Sequence, residues 1–154
     1  NLIIKIDYSP TVNETVSFAE AFHFTHGRKR VVVAKENMGL ARSWFYAWTP
    51  KHEKDYGIIF EDDLEVASDV WYLWLKKAWS VYNDAETSPN DDIGGISLNR
   101  QTLVPQKPNR VEEIVNNHKP FLYPLVGSFG FSPHPKQWQK FIHWIESIDL
   151  NTFD

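Results

Sequence analysis

The chain has 154 residues, with 16 Lys+Arg against 20 Asp+Glu, a formal charge of -4 and 42% apolar residues. That length suits one domain with a sizeable core, and the mild acidity argues against nonspecific nucleic-acid binding, which relies on a basic surface. No apolar run approaches the roughly 20 residues that span a bilayer, and the lack of cysteine excludes disulfides and thiolate metal sites.

Apolar runs alternate with amphipathic ones along the chain. Leu2-Ile3-Ile4-Lys5-Ile6-Asp7 reads as a strand rich in β-branched residues. The spacing of Val16, Ala19 and Phe22 predicts a helix from about Asn13 to His23. Asn13-Glu14-Thr15 is also a sequon, a candidate glycan site in a eukaryotic secretory pathway. Arg30 to Lys35 reads as a second strand. A helix from Leu40 to Trp48 should follow, with Leu40, Trp44, Ala47 and Trp48 on one face and Pro50 marking its end.

Tyr56 to Phe60 reads as a third strand, continuously apolar as parallel strands covered on both faces tend to be. Ser68 is the expected N-cap of a helix reaching about Tyr82, with Val70, Trp74, Leu75 and Ala78 facing inward. The stretch from Thr87 to Asp92 reads as a loop, its Asp91-Asp92 pair a solvated one, and Ile93 to Leu98 as a fourth strand. Residues 100–119, with Pro105 and Pro108, should form a long irregular connection, and residues 121–132 should be mostly extended. A last helix should start near Pro135 and carry Trp138, Phe141, Ile142 and Ile145. Of the seven Trp, Trp44, Trp48, Trp74 and Trp138 fit a core, whereas Trp71, Trp79 and Trp144 are candidates for stacking on a sugar ring.

Strands and helices in alternation imply an α/β fold with a mostly parallel sheet, whose ligands bind beyond the carboxyl ends of the strands. Asp7, then Lys35-Glu36-Asn37, then Glu61-Asp62-Asp63 end the first three predicted strands, so polar groups collect at that edge. The chain has no GxGxxG or GxxxxGK[ST] phosphate cradle, no GxSxG elbow and no HExxH. What remains is the run of three acids. Carboxylates without His or Cys beside them suit hard cations such as Mg²⁺ or Mn²⁺, which share their shell with phosphates and water. Such a cation supports departure of a diphosphate. The competing reading is a solvated turn with one acid capping the next helix. His134, between two prolines, reads as a surface-loop residue, and His52, His118 and His143 show no ligand spacing.

EDDLEVASDVW resembles the EDDLEVAPDFF segment of the N-acetylglucosaminyltransferase I family, metal-dependent glycosyltransferases of the GT-A fold in which EDD replaces the commoner DxD. LIIKIDYS, IGGISL and VGSFGFSP with Trp138 are similar to further segments of those enzymes, more diffusely. The resemblance implies a single GT-A (Rossmann-like) nucleotide-sugar-binding domain over residues 1–154, truncated at both ends. It implies Asp63 as the metal ligand, Glu61 and Asp62 at the ribose or donor sugar, and Asp7 near the uracil. Arg42 could counter a phosphate, or be a solvated helix residue. The implied activity is an inverting, Mn²⁺- or Mg²⁺-dependent transfer of a sugar, N-acetylglucosamine in that family, from a UDP-sugar to a glycan or glycoprotein hydroxyl in a Golgi or secretory lumen. An inverting transferase needs a carboxylate base. None is assigned, because the family's acceptor region lies beyond Asn151-Thr152-Phe153-Asp154 and a terminal Asp154 frays. Two rivals stay open. One is a GT-A-derived module binding sugars or proteins without turnover, and the other a metal-dependent phosphohydrolase with Asp7 as nucleophile.

Overall fold

The computed structural model describes residues 1–82, 93–99, 103–107, 110–113, 117, 119–123 and 128–148. It is mixed α/β, and the chain divides into two units, Asn1–Ala47 and Trp48–Asp154.

In the first unit, strand β1 (Leu2–Ile6) pairs in parallel with β2 (Lys29–Val33), in register from Leu2 opposite Lys29 to Ile6 opposite Val33. Parallel neighbours need a crossover, and helix α1 (Val12–Ala21) provides it, packing on both strands and burying Ala19. The helix ends earlier than its periodicity suggests. Phe22 is already extended and 48% exposed, and Lys29 explains the stop. Its ammonium donates to the carbonyls of Ala19, Glu20 and Phe22 at 2.7, 2.8 and 2.6 Å. A cation there satisfies carbonyls that a helix C-terminus leaves without partners. Helix α2 (Gly39–Phe45) is shorter than expected, and its Leu40 is 81% exposed instead of facing inward.

In the second unit, β3 (Gly95–Ser97) runs antiparallel to β6 (Phe131–Pro133). Between them in sequence lies an antiparallel hairpin of β4 (Leu103–Lys107) and β5 (Arg110–Glu113), where an irregular connection was expected. Pro105, one of the residues that suggested irregularity, sits at its register shift, and Pro108 lies outside the described residues. Helix α3 (Trp71–Tyr82) buries Leu75, Ala78 and Trp79 against Ile96, with Ile58, Trp71 and Leu98 at the margin. Val70 and Trp74, expected inside, are 61% and 42% exposed. The apolar stripe is rotated toward Trp79 because that indole has a buried partner. Helix α4 (Pro135–Glu146) buries Pro135, Trp138, Ile142 and Ile145, a regular helical face, with Phe141 half-buried beside it.

The third predicted strand is corrected most. Tyr56 to Phe60 is no parallel strand; it touches the sheet through one antiparallel bridge, Ile59 to Phe131, with N–H to carbonyl distances of 2.8 and 3.2 Å. The reason lies in β6. Phe131 is a non-hydrogen-bonded partner of Ser97, so its own N–H and carbonyl point to the opposite edge and meet Ile59. Two residues further along, Gly57 would need an N–H from Pro133, which has none. The ladder therefore stops after one rung.

Candidate functional site

Glu61, Asp62 and Asp63 leave the sheet directly after that rung. The Leu64 N–H returns to the Glu61 carbonyl at 3.3 Å, so the acids form a turn instead of a strand tip. Glu61 is half-buried, and Asp62 and Asp63 are exposed. Among the described residues, none of the three carboxylates makes a hydrogen bond or an ion pair.

The turn has a fixed base on its N-terminal side. Gly57 lies against the Trp48 indole so closely that a Cβ there would stand 2.6 Å from the ring. Trp48 is itself held, its carbonyl accepting the Trp138 indole N–H at 3.0 Å. The Gly57 carbonyl accepts the Ser132 hydroxyl at 2.6 Å, and the Phe60 ring meets Trp71 edge-on at 5.3 Å. On the C-terminal side the Ser68 hydroxyl accepts the Val70 N–H at 3.3 Å just before α3, a serine turn at the position expected for a cap.

Asp7 ends β1 in the first unit, and its carboxylate is fully engaged. One oxygen accepts the N–H groups of Tyr8 and Met38 at 2.8 and 2.7 Å, the other that of Gly39 at 3.0 Å. The Met38 N–H above all, then those of Tyr8 and Gly39 and the Ser43 side chain, holds its carboxyl below the usual carboxylate range, against some desolvation. Gly39 has φ +69°, a left-handed conformation suited to glycine, where the chain turns its amides back toward Asp7. Asp7 thus caps the start of α2, a role that the strand-end position alone did not suggest. Arg42, half-buried on α2, makes no ion pair among the described residues.

Glu61, Asp62 and Asp63 are thus brought into one turn of the second unit, while Asp7 and Arg42 belong to the first. Among the described residues no three His, Asp or Glu side chains are arranged to hold a metal ion by themselves. The donor set at Glu61–Asp63 still fits a hard cation, since it is all oxygen and two of its acids face solvent. Mg²⁺ and Mn²⁺ commonly take one or two carboxylates and complete their shell with phosphate and water.

Other candidates fall elsewhere. Trp79, considered for sugar stacking, is buried and donates its indole N–H to the Ser132 hydroxyl at 2.8 Å. Trp71 packs at the core margin, and Trp144 is 51% exposed. His134 is no surface-loop residue: it is half-buried, caps α4 by accepting the Gln137 N–H at 3.4 Å, and meets Trp79 edge-on at 5.6 Å. Asp91, Asp92, His118 and Asp154 lie outside the described residues. Sequence reasoning missed Ser132 and Lys29, whose partners are set by tertiary approach. The signal available for Ser132 was a small polar residue set between Phe131 and Pro133.

Compared with known protein families, with curated proteins and with solved structures, the chain finds no match in any of the three. Among the described residues no helix is long and apolar enough to cross a membrane.

Proposed function

We propose that this chain is the nucleotide-sugar-binding part of a GT-A-type, metal-dependent glycosyltransferase. One observation carries the reading: three successive acids stand in a turn at the end of a pinned segment, with carboxylates that no described residue engages. A purely structural turn gives little reason to concentrate like charges and leave them uncompensated. The EDDLEVASD resemblance supports the same assignment.

In this reading Asp63 holds the cation, and Glu61 and Asp62 meet the ribose or donor sugar. Mn²⁺ or Mg²⁺ held there would supply Lewis-acid neutralisation of the charge on a diphosphate leaving group. With one or two carboxylates from the turn, such a cation would complete its shell with nucleotide phosphate and water. The donor is a UDP-sugar, with N-acetylglucosamine the sugar the resemblance favours, and the acceptor a glycan or glycoprotein hydroxyl attacked with inversion. A Golgi or secretory lumen accords with that chemistry and with the exposed sequon at Asn13.

Asp7, which the resemblance puts near the uracil, also caps the start of α2. With both oxygens engaged by backbone N–H groups it is a poor nucleophile, which weighs against the phosphohydrolase rival. Its contribution here is to stage α2, which carries Arg42. Calorimetry of UDP with and without Mn²⁺, on this chain and on Asp63→Ala, tests the proposal. Mn²⁺-dependent binding lost in the variant is the expected result. A chain that does not bind UDP under either condition overturns it in favour of a module without turnover.

A further inference from the structure

Ser132 is fully buried, and its hydroxyl makes two hydrogen bonds in a defined direction. An indole N–H can only donate, so Trp79 fixes the hydroxyl as its acceptor, and the hydroxyl proton goes to the Gly57 carbonyl. That carbonyl is the one left without a ladder partner because Pro133 has no N–H. The serine side chain therefore supplies the donor that the neighbouring proline withholds.

Geometry gives this bond a consequence beyond cohesion. The Ile59–Phe131 bridge alone is one attachment, about which an extended segment can pivot. Ser132 adds a second attachment at Gly57, and two points define a direction. The acids begin just beyond the bridge, so a tilt at Gly57 is carried to Glu61–Asp63. The close approach of Trp48 to Gly57 blocks movement on one side but supplies no directional bond.

We infer that Ser132 is a positioning residue for the acidic turn, its hydroxyl standing in for the N–H that Pro133 lacks and setting the direction in which Glu61, Asp62 and Asp63 leave the sheet. The inference rests on the reading of that turn as the cation–diphosphate site and deepens it. Residues that orient metal ligands without touching the metal typically change affinity by about ten- to a hundredfold when altered.

The test measures UDP affinity in the presence of Mn²⁺ for the unsubstituted chain, Ser132→Ala, Trp79→Phe and Ile145→Ala. The last is buried on α4, which carries none of the three acids, and serves as the destabilised control. Amide hydrogen exchange at Leu64, whose N–H closes the turn, is followed in parallel. Ser132→Ala is expected to weaken binding about tenfold and to speed Leu64 exchange, whereas Ile145→Ala leaves affinity unchanged while folded. Trp79→Phe, which keeps the bond to Gly57 but removes its orienting donor, should show a smaller loss of the same kind. If Ser132→Ala does not fold, Trp79→Phe decides: unchanged affinity and unchanged Leu64 exchange overturn the inference. Binding by Ser132→Ala equal to that of the unsubstituted chain overturns it too, while the site reading stands. Failure of the unsubstituted chain to bind removes the site reading and this inference together.

Discussion

Asp7 and Asp63 both follow an apolar extended run, and the molecule treats them in opposite ways. At Asp7 the chain folds back so that three backbone N–H groups converge on the carboxylate, and its charge starts a helix. At Asp63 the turn closes through the Glu61 carbonyl instead, leaving the Asp62 and Asp63 side chains exposed. The difference is one of returning amides. An acid at the end of an extended segment is structural when nearby N–H groups point at it and is available for a ligand when they do not.

Substitutions can break that comparison. The largest expected effect is on binding: Asp63→Ala should lower Mn²⁺-dependent UDP affinity by about a hundredfold or more with an unchanged melting temperature, read by calorimetry and thermal unfolding. Asp7→Ala should do the reverse, lowering the melting temperature because α2 loses its cap. A shared loss of both properties in either variant would erase the distinction between the two acids. Next in size is Ser132→Ala, which leaves the Gly57 carbonyl and the Trp79 indole without their buried partner. It should cost about 1–3 kcal/mol in urea unfolding.

The pH dependence of stability sharpens the contrast. Asp7 has a folded-state pKa below its unfolded value, which is about 3.9 for an ordinary aspartate. Its contribution is therefore complete above the unfolded value and lost as the pH falls through the folded one. Melting temperatures measured on descending pH should fall more steeply for the unsubstituted chain than for Asp7→Asn, which lacks this titration. The smallest effect concerns the other end of the same helical logic. Lys29→Met should lower stability by about 1 kcal/mol, because the C-terminal carbonyls of α1 lose a charged donor. Equal stability in denaturant titrations would mean that water replaces the ammonium.

Much of this architecture is legible in the sequence, and its failures have physical causes. β1, α1, β2, α3 and α4 follow from periodicity, because each buries a face against near neighbours or a strong core. The Tyr56–Phe60 run carries the apolar signature of a strand, yet its pairing is ended by Pro133, a residue far along the chain that no local window includes. Within residues 103–113, Pro105 obscures an antiparallel strand pair whose register shift accommodates it. Leu40 and Trp74 show periodicity without burial. At the candidate site the acids themselves are plain in the sequence. The engagement of Asp7 is not, since Met38 and Gly39 lie 31 and 32 residues away.

The bond between Ser132 and Gly57 spans 75 residues, and that between Trp79 and Ser132 spans 53. Closing such loops is slow compared with pairing β1 and β2 across one helix. A chain emerging from the ribosome can complete its first unit early. The acidic turn gains its second attachment, at Gly57, only after β6 has been synthesised, so its orientation is settled later than the pairing of β1 with β2.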